Sequence, residues 1–218
     1  MIKSIRALGK ASYDDLGLYI NSRNIPIPSI KEIYETVPFL NGSYNFTYIN
    51  GEPAYEDRII SYNFDISEFS IEEMEIEKKK ILKWISKIID ADIYDDYIPN
   101  YHFHGSAITP DWSEDISQGV MTIKFRVYPF MIANESKKYD YIFSENEDKI
   151  IEIINDSDHS IVPIFKCENS ALITIGDSNY SLPSGIISDD DLLFQSGNIQ
   201  LQVQTTGKFA IEFFEEVL

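Results

Sequence analysis

The sequence predicts a mainly β protein with one α-helix and two domains. Three observations lead to this prediction: short β-type runs separated by Gly, Pro and Asn, a single stretch with helical apolar spacing, and a polar, acidic segment at residues 131–149 that divides the chain. We place the domains at residues 1–132 and 133–218 and the helix at about residues 71–91.

The segment at residues 12–28 predicts a strand, a turn, a second strand and then an extended edge or arm. Asp14, Asp15 and Gly17 favour the turn, because Asp side chains bond local amides and Gly tolerates positive φ. The arm is not a central strand, since proline lacks an amide donor and favours extended geometry in the residue before it. Its prolines alternate with isoleucines: Ile25, Pro26, Ile27, Pro28 and Ile30.

Strict alternation of apolar and polar residues then predicts a strand in the run RIISYNFDI. Apolar side chains two residues apart lie on one face of a strand, while the polar side chains between them take the other face. The residues on the apolar face are Ile60, Tyr62, Phe64 and Ile66.

One amphipathic helix is predicted in the stretch SIEEMEIEKKKILKWISKIIDAD. Ser70 and Glu73 have the spacing of a capping box at its start. Acidic residues in the first turns and lysines in the later ones suit the helix dipole, so we interpret the charge run as a solvated helix face. The apolar residues with three- and four-residue spacing are Met74, Ile81, Trp84, Ile85, Ile88 and Ile89.

Alternation returns after the helix and predicts a strand that Pro129 ends. Its apolar positions are Met121, Ile123, Phe125 and Val127. Beyond residue 132 the chain has only short strand-like runs with Gly or Asn turns, and no helical pattern is convincing. Strands that recur at intervals of about ten residues are typical of a sandwich, so we predict a small β-sandwich at residues 133–218.

The composition disfavours several classes of function. The net charge of −18 repels phosphate backbones, which argues against direct nucleic-acid binding. No window approaches the roughly 18 apolar residues of a membrane span, and MIKSIRALGK lacks the apolar core of a secretion signal, so we expect no membrane insertion and folding in a cytoplasm. The single cysteine, Cys167, rules out an intrachain disulfide, and its apolar neighbours predict that it is buried.

Two histidines are the weak candidates for a metal site. His102 and His104 in YHFHG lie on the same side of a predicted strand, a spacing that can chelate zinc or another divalent metal with a carboxylate as third ligand. Histidines among aromatic residues are more often packed or surface residues, so we expect no metal site. The chain contains no G-x-S-x-G, Walker, H-E-x-x-H or dinucleotide-binding motif, and we expect neither an enzyme nor a cofactor.

Five pieces of the sequence, in order over residues 11–132, resemble the N-terminal domain of phage distal tail proteins, the Dit-like family of long-tailed phages and prophages. The pieces are YDDLGLYINSRNIPIP, VPFLNGSYNFT, GEPAYEDRIISYNF, KKKILKWI and RVYPFMI. The resemblance implies a β-barrel with a flanking helix that assembles into a six-fold ring at the virion tail tip. It implies that the C-terminal sandwich, galectin-like in better-known relatives, lies outside the ring and docks peripheral proteins.

The same resemblance implies the binding partners of the protein and the compartment in which it assembles. The ring would join the tail-tube protein to the baseplate, the tip or a tail-associated lysin, and would dock receptor-binding proteins, after assembly in the cytoplasm of a bacterial host. In such a ring the arm could lie on a neighbouring subunit; it could equally be an edge segment folded on its own domain, because proline blunts edges in both cases. The candidate interface residues are Ile25, Pro26, Ile27, Pro28 and Ile30.

Two other functions stay open at this point. The first is a carbohydrate-binding tail component that recognises the host cell wall through the C-terminal sandwich. The second is a metal-dependent hydrolase that uses His102 and His104.

Overall fold

The computed structural model describes residues 2–49, 51–67, 70–114 and 118–218. These residues are mainly β, and the one helix among them is α1 (Ile71–Ile85), which confirms the predicted fold class. The chain divides into two units, Met1–Met131 with Leu218 and Ile132–Val217. Each unit has its own hydrophobic core.

The first unit contains a long antiparallel sheet and a small hairpin. Its strands are β1 (Ile5–Ala7), β2 (Lys10–Ala11), β3 (Tyr19–Asn24), β4 (Tyr34–Glu35), β5 (Tyr44–Asn45), β6 (Arg58–Ser67), β7 (Ala91–Asp95), β8 (Tyr101–Ala107), β9 (Asp111–Glu114) and β10 (Gln118–Val127), and β11 (Met131–Ala133) follows. The strands of the sheet lie in the order β2-β1-β7-β8-β10-β6-β3, with β9 paired to β10. Strands β4 and β5 pair only with each other among the described residues.

The two strands predicted from alternation, β6 and β10, are neighbours and form the centre of the first core. Phe125 lies opposite Ile60 in the antiparallel register, so the apolar faces of the two strands are continuous. The buried residues are those that alternation predicted, which are Ile60, Tyr62, Phe64, Ile66, Met121, Ile123, Phe125 and Val127.

The sheet curls so strongly that strands far apart in its order meet. Four strand spacings of about 4.8 Å separate β3 from β7 in a flat sheet, about 19 Å in all. Arg23 on β3 nevertheless places its Nη1 2.7 Å from Oδ2 of Asp95 on β7. The Tyr62 hydroxyl on β6 donates to the same Asp95 oxygen at 2.9 Å. The first unit is therefore barrel-like, as expected.

The predicted capping box begins the helix. The Ser70 hydroxyl accepts a hydrogen bond from the Glu73 amide at 3.3 Å, and the Glu73 carboxylate accepts one from the Ser70 amide at 2.9 Å. The helix buries Met74 and Trp84 on its inner face, and the Trp84 indole donates to the Ala7 carbonyl at 3.1 Å. These contacts fix the helix on the sheet and leave its opposite face exposed.

The predicted end of the helix near residue 91 is wrong, because α1 ends at Ile85. The amides of Lys87 and Ile88 donate to carbonyls three residues earlier, which tightens the chain into a turn. The Ile88 carbonyl then accepts a hydrogen bond from the Ala107 amide at 2.9 Å. The buried Ile88 continues the apolar spacing through this turn, so the spacing overestimates the length of the helix.

The second unit is a sheet built around one long strand. Its elements are β12 (Lys137–Asn155), β13 (Ile164–Cys167), β14 (Ala171–Ile175), β15 (Ser178–Leu182), β16 (Gly185–Ser188), β17 (Gly197–Phe213) and β18 (Glu216–Val217). The polar segment at residues 131–149 was predicted to be a boundary, yet most of it lies in the 19-residue strand β12. The polar residues of β12 alternate with Tyr139, Tyr141 and Phe143, which pack on the core, so most of this segment is a half-buried strand. The division between the two units falls at its start, between Met131 and Ile132.

A bend in β17 at Gly207 turns the sheet of the second unit around its core. Gly207 has a φ of +78°, and the register between β12 and β17 shifts beside it. Before the bend β17 pairs with β14, and after it β17 pairs with β13, while β12 follows the whole length on the other side. The two halves enclose a single core, which contains Phe143, Ile173 and Phe209.

Candidate interaction surface

Residues 25–57 form an extended arm that leaves the first sheet after β3 and returns to it at β6. Near its base the Lys31 amide donates to the Ala54 carbonyl at 2.7 Å, and the Glu56 amide donates to the Ser29 carbonyl at 2.8 Å. Further out, β4 and β5 pair, and the Phe46 amide donates to the Ile33 carbonyl at 2.8 Å. The arm is therefore a long, irregular hairpin; Asn50 lies outside the described residues.

The five candidate interface residues lie at the base of this arm, and they do not share one face. Pro28 is buried, and Ile25 packs partly against the first core. Pro26 is half-buried, and its carbonyl accepts a hydrogen bond from Arg58 at 3.3 Å. Ile27 is 82% exposed and Ile30 is 38% exposed. Some of these side chains therefore face the first core and the others face solvent.

The arm exposes far more large apolar side chains than the five candidate interface residues predicted from the sequence. A run of isolated exposed apolar side chains is normal, whereas a dense group of them marks an interaction site. Phe39 at the tip adopts a φ of +69° and is fully exposed. The exposed large apolar residues of the arm are Ile27, Ile30, Ile33, Tyr34, Val37, Phe39, Leu40, Tyr44, Phe46, Tyr48 and Ile49. The sequence indicates this exposure in VPFLNGSYNFT and IPIP. Apolar residues in these runs are not confined to one face of a strand, so some of them remain in contact with solvent.

A buried cation lies beneath the base of the arm. Arg58, the first residue of β6, is only 5% exposed and belongs to the inward-facing set of that strand. Its Nη1 donates to the Pro26 carbonyl, and its guanidinium lies 5.2 Å from the centre of the Phe103 ring. Its Nε and Nη2 have no hydrogen-bond partner among the described residues, and burial lowers the pKa of the group.

The two candidate metal ligands meet two carboxylates at the surface. His104 Nδ1 lies 2.8 Å from Asp92 Oδ1, and His104 Nε2 lies 3.0 Å from Asp90 Oδ1. His102 Nε2 lies 3.5 Å from the same Asp92 oxygen. The hydrogen bond with Asp92 is the main cause that raises the pKa of His104, and this arrangement suits the doubly protonated ring.

This histidine cluster does not have the geometry of a metal centre. Each ring nitrogen of His104 lies within hydrogen-bond distance of a carboxylate oxygen, an arrangement that favours the doubly protonated ring, which has no lone pair for a metal ion. Within the described ranges, no group of three or more His, Cys, Asp or Glu side chains is arranged to hold a metal ion.

The second unit carries an open groove of about 550 Å³ that is lined by residues of β12, β13, β16 and β17. Its lining includes Ile142 and Ile186, which are 73% and 76% exposed, and the two lysines Lys166 and Lys208. Cys167 also lines the groove, is buried as predicted, and has a pKa raised to about 11 by that burial. The part of the chain that the structure describes contains no helix long and apolar enough to cross a bilayer.

Known proteins resemble this chain in fold but not in sequence. The sequence matches no protein-family model and no curated protein. The fold matches the crystal structure of the SPP1 Dit protein, a paradigm of the hub adsorption apparatus of phages that infect Gram-positive bacteria, with a TM-score of 0.74, 10% identity and 100% coverage of both chains. The chain has the Dit fold.

The Dit fold accounts for both units of the chain, since the alignment spans the whole of it. It confirms the fold expected from the resemblance of the N-terminal sequence pieces. Two structures of the phage P2 baseplate in its activated conformation, with Ca and with Sr, align at TM-scores of 0.44 and 0.42 and 8% identity, over 97% and 98% of this chain and 98% of theirs.

Proposed function

We propose that this protein is a structural tail-tip hub of a phage or prophage. Copies of the chain form a closed ring that joins the tail tube to the baseplate or tip and docks peripheral proteins. The observation that carries the proposal is the end-to-end likeness to SPP1 Dit, at a TM-score of 0.74 over both whole chains. Fold alone does not determine function, so a second, independent observation is needed.

The arm supplies that observation. Its exposed apolar side chains, from Ile27 to Ile49, form a dense group of the kind that marks an interaction site. An arm that projects from one subunit onto the next makes a heterologous contact, and repetition of that contact about an axis closes a ring. The five candidate residues from Ile25 to Ile30 then form the base of the arm, which Arg58 and the first core hold in place.

On this proposal the protein is not an enzyme. Its location is the virion tail tip, and its partners are further copies of itself, the tail-tube protein, the tip protein or tail-associated lysin, and receptor-binding proteins. The six-fold symmetry and the galectin-like character of the second unit belong to the same proposal. No observation favours the sugar-binding or the hydrolase alternative.

The test is the mass of the purified protein by light scattering across a concentration series, with negative-stain images of the largest species. We expect closed rings, and we expect capture of the tail-tube and tip proteins of the same particle. A protein that stays monomeric at every concentration and also fails to bind both partners would overturn the proposal.

Variants of the arm sharpen this test. Phe39→Ser with Leu40→Ser removes apolar surface at the arm tip without touching either core. Ile142→Ser with Ile186→Ser removes a similar amount of exposed apolar surface from the second unit and serves as the matched control. We expect only the arm variant to lose assembly.

A further inference from the structure

The outer face of α1 carries an unpaired basic stripe. Lys79 and Lys83 are four residues apart on the face of the helix opposite its buried residues, and Lys87 follows in the turn after the helix. All three lysines are exposed, and none forms an ion pair with a described residue, whereas Lys78 and Lys80 are paired with Glu75 and Glu77. Ile76, which is 54% exposed, lies one turn before Lys79 and Lys80 and makes the stripe amphipathic.

The arm carries the complementary surface. Glu32, Glu35, Glu56 and Asp57 are exposed and form no ion pair with any described residue. Lys31 is the one basic residue between Ile25 and Asp57. Glu32 and Glu35 flank the exposed Ile33 and Tyr34, so the arm presents carboxylates and apolar groups together.

We propose that the basic stripe of α1, Ile76 with Lys79, Lys83 and Lys87, is the docking surface for the acidic, apolar arm of a second copy of this chain. Opposite charges left unpaired in one copy become paired between two copies, and the exposed apolar residues of both surfaces are covered together. Because the chain carries a net charge of −18, most of its surface repels a second copy, and a basic stripe is a place where an acidic segment of that copy is attracted instead.

The two surfaces differ, so each copy offers one helix stripe and one arm. Such a contact is heterologous and produces a ring if its rotation closes. The biological role of this contact rests on the proposed hub function. The contact itself can be measured with the isolated protein, without any tail partner.

Charge reversal tests the contact directly. The helix variant is Lys79→Glu with Lys83→Glu and Lys87→Glu, and the arm variant is Glu32→Lys with Glu35→Lys. Each variant alone places like charges across the interface, so we expect its self-association, measured by sedimentation velocity, to weaken by at least about tenfold. All five side chains are exposed, and circular dichroism with thermal melting verifies that both variants fold.

An equimolar mixture of the two variants provides the decisive measurement. The helix variant keeps an acidic arm, and the arm variant keeps a basic helix, so alternating copies have opposite charges at every contact. We expect the mixture to assemble like the wild-type chain, although neither component does so alone. The matched control, Asp190→Lys with Asp191→Lys on an exposed loop of the second unit, should assemble normally.

A paramagnetic label on Leu82→Cys covers the case in which the chain associates only weakly. Leu82 is 39% exposed beside the stripe, and the native Cys167 is buried, so the label attaches at one position. In a mixture with unlabelled, isotope-enriched copies at millimolar concentration, we expect broadening of arm signals near Glu35. Broadening elsewhere, or none, would overturn the contact.

The outcomes separate this inference from the hub proposal. Rings that form equally well from each reversed variant alone would keep the hub and overturn the helix–arm contact. Restored assembly in the mixture without any binding of tail-tube or tip protein would keep the contact and count against the hub.

Discussion

The hydroxyl of Tyr62 donates a 2.9 Å hydrogen bond to Oδ2 of Asp95, and both residues are buried in the first unit. Arg23 reaches the same oxygen at 2.7 Å from the opposite edge of the sheet. Burial and the Asp95 carboxylate together raise the pKa of Tyr62, so the hydroxyl remains a donor. The three side chains hold the curled sheet closed.

Removal of the Tyr62 hydroxyl should therefore destabilise the first unit. Tyr62→Phe leaves a buried carboxylate with one donor fewer, and we expect a loss of about 2 kcal/mol in the free energy of unfolding. Both tryptophans, Trp84 and Trp112, lie in the first unit, so tryptophan fluorescence in urea reports its unfolding. Tyr19→Phe on the edge strand β3 is the control, since Tyr19 is 52% exposed; equal stability of the two variants would contradict the role of the hydrogen bond.

The buried guanidinium of Arg58 should cost stability instead of supplying it. Arg58→Met removes a desolvated charge with two unpaired nitrogens and keeps an apolar side chain of similar length. We expect the variant to be as stable as the wild-type chain or about 1 kcal/mol more stable in the same urea experiment. A marked loss of stability would mean that Nε or Nη2 has an essential partner.

The histidine cluster should stabilise the first unit on the acidic side of neutrality. The folded-state pKa of His104 is raised, so its contribution is complete below the ordinary pKa of about 6.5 and is lost as the pH rises through the folded value. The stability difference between the wild-type chain and His104→Gln should shrink with rising pH. Imidazole proton shifts in NMR should also show that Asp92→Asn lowers the His104 pKa more than Asp90→Asn does. The reverse order would contradict the geometry.

Glu212 should give the second unit the opposite pH dependence. Lys166, the Ser136 hydroxyl and Lys138 hold the pKa of Glu212 at about 2, well below its ordinary value of 4.5. Its contribution is complete above about pH 4.5 and is lost as the pH falls through about 2. Methyl NMR signals of the second unit during thermal melting should show Glu212→Gln destabilised at pH 6 and equal to the wild-type chain near pH 2. Asp190→Asn, on an exposed loop, should show no such convergence.

The bend in β17 should be more sensitive to an added side chain than another glycine with a positive φ in the same unit. A Cβ atom on Gly207 would lie 2.8 Å from Oε2 of Glu168, in a backbone conformation with a φ of +78°. Gly176 also has a positive φ, of +56°, but nothing lies within 4 Å of its Cβ position. We expect Gly207→Ala to lower the melting temperature of the second unit more than Gly176→Ala does, and an equal effect would mean that the contact with Glu168 is unimportant.

Local patterns predicted the elements whose partners are close in sequence or whose faces are uniform. Alternation identified the buried faces of β6 and β10, and the spacing of Ser70 and Glu73 identified the start of α1. The end of the helix was not predicted because Ile88 stays buried in the turn after it, where its carbonyl accepts a hydrogen bond from Ala107 on β8. The local apolar spacing cannot distinguish such a turn from a further turn of helix. Strand β12 was not predicted because its outer face mixes charged residues with exposed isoleucines, so the alternation of apolar and polar residues is incomplete.

The candidate site was harder to predict for a related reason. The positions of the two prolines located the base of the arm, but they gave no information on which side chains face solvent. Burial of Pro28 and exposure of Ile27 depend on the core beneath, which is assembled from several strands. The Arg58 guanidinium and the Asp95 network join residues more than 30 positions apart, and no local pattern encodes such contacts.

The position of β17 has a consequence for the order in which the protein can fold during its synthesis. Residues 197–213 form β17, which pairs with β12, β13 and β14. These three earlier strands cannot complete their hydrogen bonds until β17 has been synthesised. Apart from Leu218, the first unit is complete by residue 131 and can fold while the ribosome is still translating the second. A premature stop codon before residue 197 would therefore leave a folded first unit joined to unpaired strands, a product prone to aggregation and proteolysis.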